Sequence, residues 1–164
     1  MPKESLVAWN KLKITVCTNN TENPLYKNSF DIQGGNFSNA GTISTRIKSI
    51  LKEIGLPNEV VRKSAIVCYE AEINIVSYAR KGSINLTVNP KTVEIEVVDE
   101  GPGIPDITRA MEPGYSTANQ QIREMGFGAG MGLYNIKCYS DQFDITSEVN
   151  KGTFLKIFIN IPAS

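Results

Sequence analysis

The sequence predicts an α+β fold: a two-layer α/β sandwich with a mixed, mostly antiparallel sheet and its helices on one face. Helical periodicity is concentrated in the first half of the chain, and strand-like segments come in pairs joined by short turns. The chain has 164 residues, 41% hydrophobic and 21% charged, which is the size and composition of one globular domain. We therefore expect residues 1–164 to form a single domain.

The first third of the chain predicts two strands and a helix. Residues 12–18 alternate as a half-buried strand does, and residues 26–33 predict a second strand that ends at Gly34. Isoleucine and leucine then recur at helical spacing over about 38–54, and Gly55 closes that helix.

The chain from residue 57 onward predicts a long helix, two strand pairs and a short helix. Pro57 suits the first turn of a helix that reaches Lys81, with Gly82 as its stop. The later elements are strands over about 83–89 and 92–99, a helix over about 131–140, and strands over about 142–149 and 153–161. Residues 100–129 are glycine-containing and weakly periodic, and a loop of that length usually has a function.

Charge and apolar patterning exclude several classes of partner. Seventeen basic residues balance seventeen acidic ones, so there is no net positive field to hold nucleic acid or an anionic membrane. The longest apolar run, 65–69, is too short to cross a bilayer. We expect neither nucleic acid nor membrane as a partner.

Histidine and cysteine content narrows the chemistry. The chain has no histidine, which excludes histidine acid/base catalysis, metal ligation and phosphohistidine within it. Cys17, Cys68 and Cys138 lie far apart, which favours buried thiols in a reducing compartment, the cytoplasm, over disulfides or a zinc site.

Glu70 and Asn74 form the first candidate site. They lie four residues apart on the predicted helix, so they share one face. A carboxylate can accept a proton, and an amide oxygen suits Mg²⁺ that keeps phosphate and water ligands. The alternative is a pair of solvated helix residues with local hydrogen bonds. Glu72 falls within the apolar arc of the same helix, and the pattern predicts no role for it.

Two glycine-containing turns form the second and third candidates. Asp99 ends an alternating strand before Gly101 and Gly103, where a carboxylate could accept a hydrogen bond from a purine amine and the backbone could approach a flat base. An ordinary turn is the alternative there. Alternating glycines over 126–132 precede a helix, where backbone N–H groups can bind phosphates, although a flexible hinge has the same composition.

The order of these segments resembles the GHKL ATPase superfamily, and within it the bacterial anti-sigma-factor and switch-protein serine/threonine kinases. The matching segments cover about residues 57–161, and residues 1–56 match in layout only. The matching segments are residues 70–74 with 78–79 (N box), 99–103 (G1 box), 110–117 (lid), 130–133 (G2 box) and 147–153 (closing strand turn).

The resemblance implies ATP and Mg²⁺ as cofactors and a role for each matching residue. Glu70 would be the catalytic base or orienting carboxylate, Asn74 the Mg²⁺ ligand, and Asp99 the adenine anchor. A mobile lid would cover about 104–129. The nucleotide would contact Asn74, Asp99, Gly101, Gly103, Ser116, Thr117, Gly128, Gly130, Met131, Gly132, Leu133 and Thr153.

Two positions depart from the family pattern. Gly128 stands where some of these kinases carry an arginine before the G2 glycines, with Arg123 nearby, and Tyr78 stands where histidine is common. The first departure removes a cation expected beside the γ-phosphate.

The function implied by the resemblance is a serine/threonine protein kinase acting on, or sequestering, a small regulatory protein. That partner would be an anti-sigma antagonist-like protein or a sigma factor, and the kinase would form a homodimer through the first strand and its neighbouring helix. Two alternatives remain: a non-catalytic, nucleotide-dependent binding module, and a histidine-kinase-type ATPase domain acting in trans.

Overall fold

A computed structural model of the chain describes residues 23–163, so the strand predicted over 12–18 lies outside the described residues. The helices and strands are β1 (Tyr26–Gln33), α1 (Thr42–Glu53), α2 (Asn58–Tyr78), β2 (Lys81–Val88), β3 (Thr92–Asp99), α3 (Ile107–Ala110), α4 (Gln120–Glu124), α5 (Gly132–Cys138), β4 (Gln142–Glu148) and β5 (Gly152–Asn160). A 3₁₀ turn, Phe37–Asn39, precedes α1.

The five strands form one sheet in the order β1-β2-β3-β5-β4. The predicted α+β class is confirmed. The sheet, expected to be mixed, has only antiparallel pairings within residues 23–163, because β2–β3 and β4–β5 are hairpins and β5 runs opposite to β3. The last strand is therefore inserted between β3 and β4.

The core lies between one face of the sheet and the helices. Alternate strand residues such as Leu86, Ile95 and Ile157 are fully buried, as are Val67 and Ile75 of α2. This alternation arises because successive strand side chains point to opposite faces. On the other face, the Lys156 ammonium lies 2.8 Å from a Glu94 carboxylate oxygen and 3.0 Å from one of Glu96.

The long helix ends earlier than predicted, at Tyr78 instead of Lys81, and Gly82 lies in β2. The backbone at this point joins the sheet: Arg80 N–H donates to the Glu100 carbonyl at 3.0 Å, and Glu100 N–H donates to the Lys81 carbonyl at 2.9 Å. These hydrogen bonds to a distant segment replace another helical turn.

Glu72 has a structural role that the sequence did not predict. Its side chain is 1% exposed, and its two carboxylate oxygens accept the backbone N–H groups of Ile43 at 3.1 Å and Ser44 at 2.8 Å. Those groups belong to the first turn of α1, whose N-cap residue, Gly41, has no side chain to cap it. A carboxylate from α2 therefore caps α1, and its negative charge interacts favourably with the positive end of the α1 helix dipole.

The described cysteines differ in exposure. Cys68 is buried, and burial, followed by the negative charge of Glu72, raises the pKa of its thiol far above the usual range. Cys138 is exposed, so the expectation of buried thiols was wrong for that residue: α5 is short, and its last turn faces solvent. None of the helices within residues 23–163 has the length and apolarity that a membrane span requires.

Candidate functional site

A cavity of about 510 Å³ opens between α2, the end of β3 and the segments around α3 and α5. Its volume lies within the range of small-molecule sites. Of the predicted site residues, those that line it are Glu70, Asn74, Asp99, Gly103, Ser116, Thr117, Gly128, Gly130, Met131, Gly132, Leu133 and Thr153. Segments that are distant in sequence therefore meet around one space.

Gly101 is the predicted contact that does not line the cavity. It lies behind Asp99, where an added Cβ would come within 2.8 Å of the Asp99 Oδ1 atom. The absence of a side chain at Gly101 therefore makes room for the Asp99 carboxylate.

Glu70 and Asn74 face the start of α5. A Cβ at Gly132 would lie 3.2 Å from Asn74 Oδ1 and 3.5 Å from Glu70 Oε2. With glycine at this position, the two polar side chains converge on the N-terminal end of α5 with space between the helices. Within residues 23–163, no group of three or more His, Cys, Asp or Glu side chains could hold a metal ion. An Mg²⁺ ion with mainly phosphate and water ligands fits a single amide oxygen such as that of Asn74.

Asp99 is fixed by the backbone around it. Its Oδ1 accepts the Thr153 N–H at 3.2 Å, and it is half-buried. Burial raises the pKa of the Asp99 carboxyl, and the N–H groups of Thr153 and Gly101 oppose that rise. Asp99 also lines the cavity, so its carboxylate borders the space that a ligand would occupy.

Ser147 connects the walls of the cavity and was not among the predicted site residues. Its hydroxyl lies 2.9 Å from Thr153 Oγ1 and accepts the Ile104 N–H at 2.8 Å. It thereby joins the β4–β5 hairpin to the start of the segment predicted as a lid. Its place at the start of the 147–153 match was the signal available in the sequence.

The predicted lid packs on the glycine-rich segment. Gly130 has φ +76°, and a Cβ there would come within 2.5 Å of the Gly114 carbonyl carbon, so both its conformation and its contact require glycine. The Gly114 N–H also donates to the Gly130 carbonyl at 2.8 Å. Farther along, Phe127 stacks on Phe37, with ring centroids 5.8 Å apart.

Arg109 is the only lysine or arginine among the described residues that line the cavity. Its guanidinium lies 4.7 Å from the centre of the Tyr115 ring. Arg123, which the sequence suggested as the nearby cation, does not line the cavity, and its Nε donates to the Ala118 carbonyl at 3.1 Å. A lone arginine in an irregular segment gives no sequence signal, so Arg109 was missed.

Comparison with known proteins identifies the family of the chain. Residues 37–159 match the model of the histidine kinase-like ATPase domain. The chain is 33% identical over 110 residues to the serine/threonine-protein kinase RsbT of Bacillus subtilis (strain 168), covering 65% of this chain and 77% of RsbT. It is 32% identical over 100 residues to the anti-sigma F factor of Thermoanaerobacter sp. (strain X514), covering 61% of this chain and 62% of that factor.

Among solved structures, a mycobacterial sensor histidine kinase, MprB, aligns with a TM-score of 0.49 and 13% identity, over 85% of this chain and 100% of that one. The family match alone extends from the 3₁₀ turn before α1 to the end of β5 and contains every residue placed in the cavity. The resemblance predicted from the sequence is confirmed: the chain belongs to the histidine kinase-like ATPase domain family.

Proposed function

We propose that this chain binds Mg-ATP in the cavity and transfers the γ-phosphoryl group to a serine or threonine hydroxyl of a small regulatory protein. The observation that carries the proposal is the convergence of Glu70, Asn74 and Asp99 on one cavity beside the glycine-rich segment. The relative named a serine/threonine-protein kinase supports the choice of reaction.

In this proposal, Asp99 and the backbone around it bind the base. The Asp99 carboxylate accepts a hydrogen bond from the exocyclic amine of adenine, while its Oδ1 also accepts the Thr153 N–H. Gly103 forms part of the wall beside the base. Gly130 and Gly132 let the backbone approach the phosphates, and Asn74 contributes an oxygen to Mg²⁺, which supplies charge neutralisation.

Glu70 receives or orients the proton of the attacking hydroxyl. Phosphoryl transfer requires mainly positioning and charge neutralisation, and a carboxylate beside Asn74 lies where a hydroxyl near the phosphates would be oriented. Arg109 supplies the positive charge that the arginine replaced by Gly128 supplies in some related kinases. Residues 104–129 act as the lid that excludes water and borders the partner.

A second function, ATP-dependent sequestration of a regulatory protein with slow or no transfer, is favoured by one observation. The position before the G2 glycines carries no cation, and the side chain of Arg123 is engaged with the Ala118 carbonyl. A weakly neutralised γ-phosphate slows transfer without preventing nucleotide-dependent binding of a partner.

The first experiment is thermal unfolding with and without Mg-ATP. A ligand that binds only the folded state stabilises it by roughly 2.7 kcal/mol at a hundred times its dissociation constant, which raises the unfolding temperature. We expect such a rise with Mg-ATP and a smaller one with adenosine. If saturating Mg-ATP leaves the unfolding temperature where it was, the proposed function is wrong.

The second experiment separates transfer from sequestration. Radiolabelled ATP is incubated with the chain and with small regulatory proteins encoded beside it, and Glu70→Gln is the matched variant. Labelling of a partner hydroxyl that Glu70→Gln abolishes supports the kinase. ATP-dependent capture of an unlabelled partner supports the sequestering module.

A further inference from the structure

Asn135 contacts Glu70 from outside the cavity. Its side-chain Nδ2 donates to Glu70 Oε1 at 2.7 Å, across the interface between α5 and α2. Asn135 is half-buried and does not line the cavity itself. The contact of its side chain with the cavity wall runs through Glu70.

In this hydrogen bond Asn135 must be the donor and Glu70 the acceptor. An ionised carboxylate has no hydrogen to donate, so the amide must present its NH₂ group, and a hydrogen bond to a charged acceptor is stronger than a neutral one. The last torsion of a glutamate side chain is broad, so an unheld carboxylate rotates readily. Asn135 removes that freedom by holding one of the two oxygens.

The other oxygen is directed at the proposed reaction site. Glu70 Oε2 is the atom within 3.5 Å of the Cβ position of Gly132, and Asn74 Oδ1 lies 3.2 Å from the same position. With Oε1 held by Asn135, Oε2 stays on the side of Asn74 and the start of α5. This is where an attacking hydroxyl would meet the phosphates.

We propose that Asn135 is a positioning residue that holds the Glu70 carboxylate with Oε2 directed at the acceptor hydroxyl. The inference rests on the proposed function, because it assigns Asn135 a part in the step given to Glu70. It also makes a claim about the contact itself, which does not depend on catalysis.

Kinetics of phosphoryl transfer from radiolabelled Mg-ATP to the partner hydroxyl found in the labelling experiment above tests the catalytic part. We expect Asn135→Ala to lower kcat about tenfold or more, as misplaced catalytic groups do, while the dissociation constant of the nucleotide stays at the wild-type value. In a Glu70→Gln background the same substitution should cause no further loss. A wild-type kcat in Asn135→Ala, or losses that multiply in the double variant, would overturn the proposal.

Two further variants separate positioning from a merely structural role. Asn135→Asp keeps the shape of the side chain but removes the donor and faces one carboxylate with another, so kcat should fall at least as far as in Asn135→Ala. Asn135→Gln keeps the donor and should recover part of the activity. The control is Lys137→Ala, an exposed position on the same helix, which should retain wild-type kcat.

Nuclear magnetic resonance of the nucleotide-free chain tests the contact between Asn135 and Glu70 separately from the proposed function. The side-chain amide signal of Asn135, assigned by its loss in Asn135→Ala, should shift in Glu70→Gln, because the charge on its acceptor is removed. A chain that labels no partner but shows this shift contradicts the proposed transfer and supports the contact. A signal that does not respond to Glu70→Gln refutes the inference about Asn135, whatever the activity.

Discussion

At the scale of single residues, burial of the Asp99 carboxylate makes the stability of the fold depend on pH. Its carboxylate is half-buried, and burial raises the pKa of Asp99 even though the Thr153 and Gly101 N–H groups oppose the rise. Because the folded state then binds this proton more tightly than the unfolded state, the contribution of Asp99 to the free energy of unfolding falls as pH rises. The fall begins near the ordinary pKa of an aspartate and ends above the raised one.

We therefore predict opposite effects of Asp99→Asn on stability and on binding. Without nucleotide, the variant should be at least as stable as wild type near neutral pH, because an uncharged amide is easier to bury. The free energy of ATP binding should become less favourable by about 1.5–3 kcal/mol, which is the typical contribution of a hydrogen bond to a charged group. The reason is that the NH₂ group of the introduced amide would face the adenine amine, so that two donors would meet. Urea unfolding measures the stability of the variant, and calorimetric titration measures its affinity for ATP.

Asp144→Asn, at an exposed position of β4, is the control for this prediction and should bind ATP as wild type does. Wild-type ATP affinity in Asp99→Asn would remove Asp99 from the base-binding site.

A second residue-scale prediction concerns Arg109, the cation that the structure places in the cavity wall. Arg109→Gln should weaken ATP binding about tenfold, which corresponds to ~1.4 kcal/mol, and should leave adenosine binding unchanged because adenosine carries no phosphate. Arg123→Gln is the matched control, since that arginine lies outside the cavity lining. Calorimetric titration that finds equal losses for both ligands would place Arg109 away from the phosphates.

At the scale of elements, α1 depends on a carboxylate of α2. Glu72→Gln leaves only one acceptor for the Ile43 and Ser44 N–H groups, and an unsatisfied buried donor costs about 1–3 kcal/mol. We expect a loss of that size in the free energy of unfolding, measured by urea denaturation. Glu59→Gln, at an exposed position of the same helix, should cost less than about 1 kcal/mol. Equal stability of the two variants would contradict the capping role.

The segment predicted as a lid contacts the 3₁₀ turn before α1 through an aromatic pair. Stacked rings such as Phe37 and Phe127 contribute about 0.5–1.5 kcal/mol beyond their buried area. Phe37→Leu should therefore accelerate hydrogen exchange in residues 104–129 and leave the β3 and β5 amides protected. Phe154→Leu, on the sheet face away from the helices, is the control. Unchanged exchange in the lid of Phe37→Leu would show that other contacts hold it.

At the scale of the whole molecule, the sequence predicted the features that depend on residues close to each other along the chain. The β1 and β3 ranges, 26–33 and 92–99, were predicted correctly because period-two alternation records which face of a strand is buried. The end of α2 was wrong because Arg80 and Lys81 hydrogen-bond to Glu100, a contact that no local pattern records. Helix spacing likewise placed Glu70 and Asn74 on one face.

What the sequence could not predict comes from contacts between distant segments. The partners of Glu72 lie 28 and 29 residues away, and Asn135 lies 65 residues from Glu70. Residue types show what each side chain can donate or accept, but only the fold decides which ones meet. Candidate roles for Asp99 and the glycine-rich segment came from residue chemistry and from the resemblance to a family, but neither shows that both line one cavity.

The insertion of β5 between β3 and β4 also determines when the proposed base-binding pocket can exist. The Thr153 N–H that holds Asp99, and the close approach of Gly152 to the Asp99 carbonyl, both come from the last strand. A nascent chain therefore has no complete pocket until that strand has left the ribosome. Chains that terminate early, before residue 152, would expose the edge of β3 and could not recover their fold by capturing nucleotide.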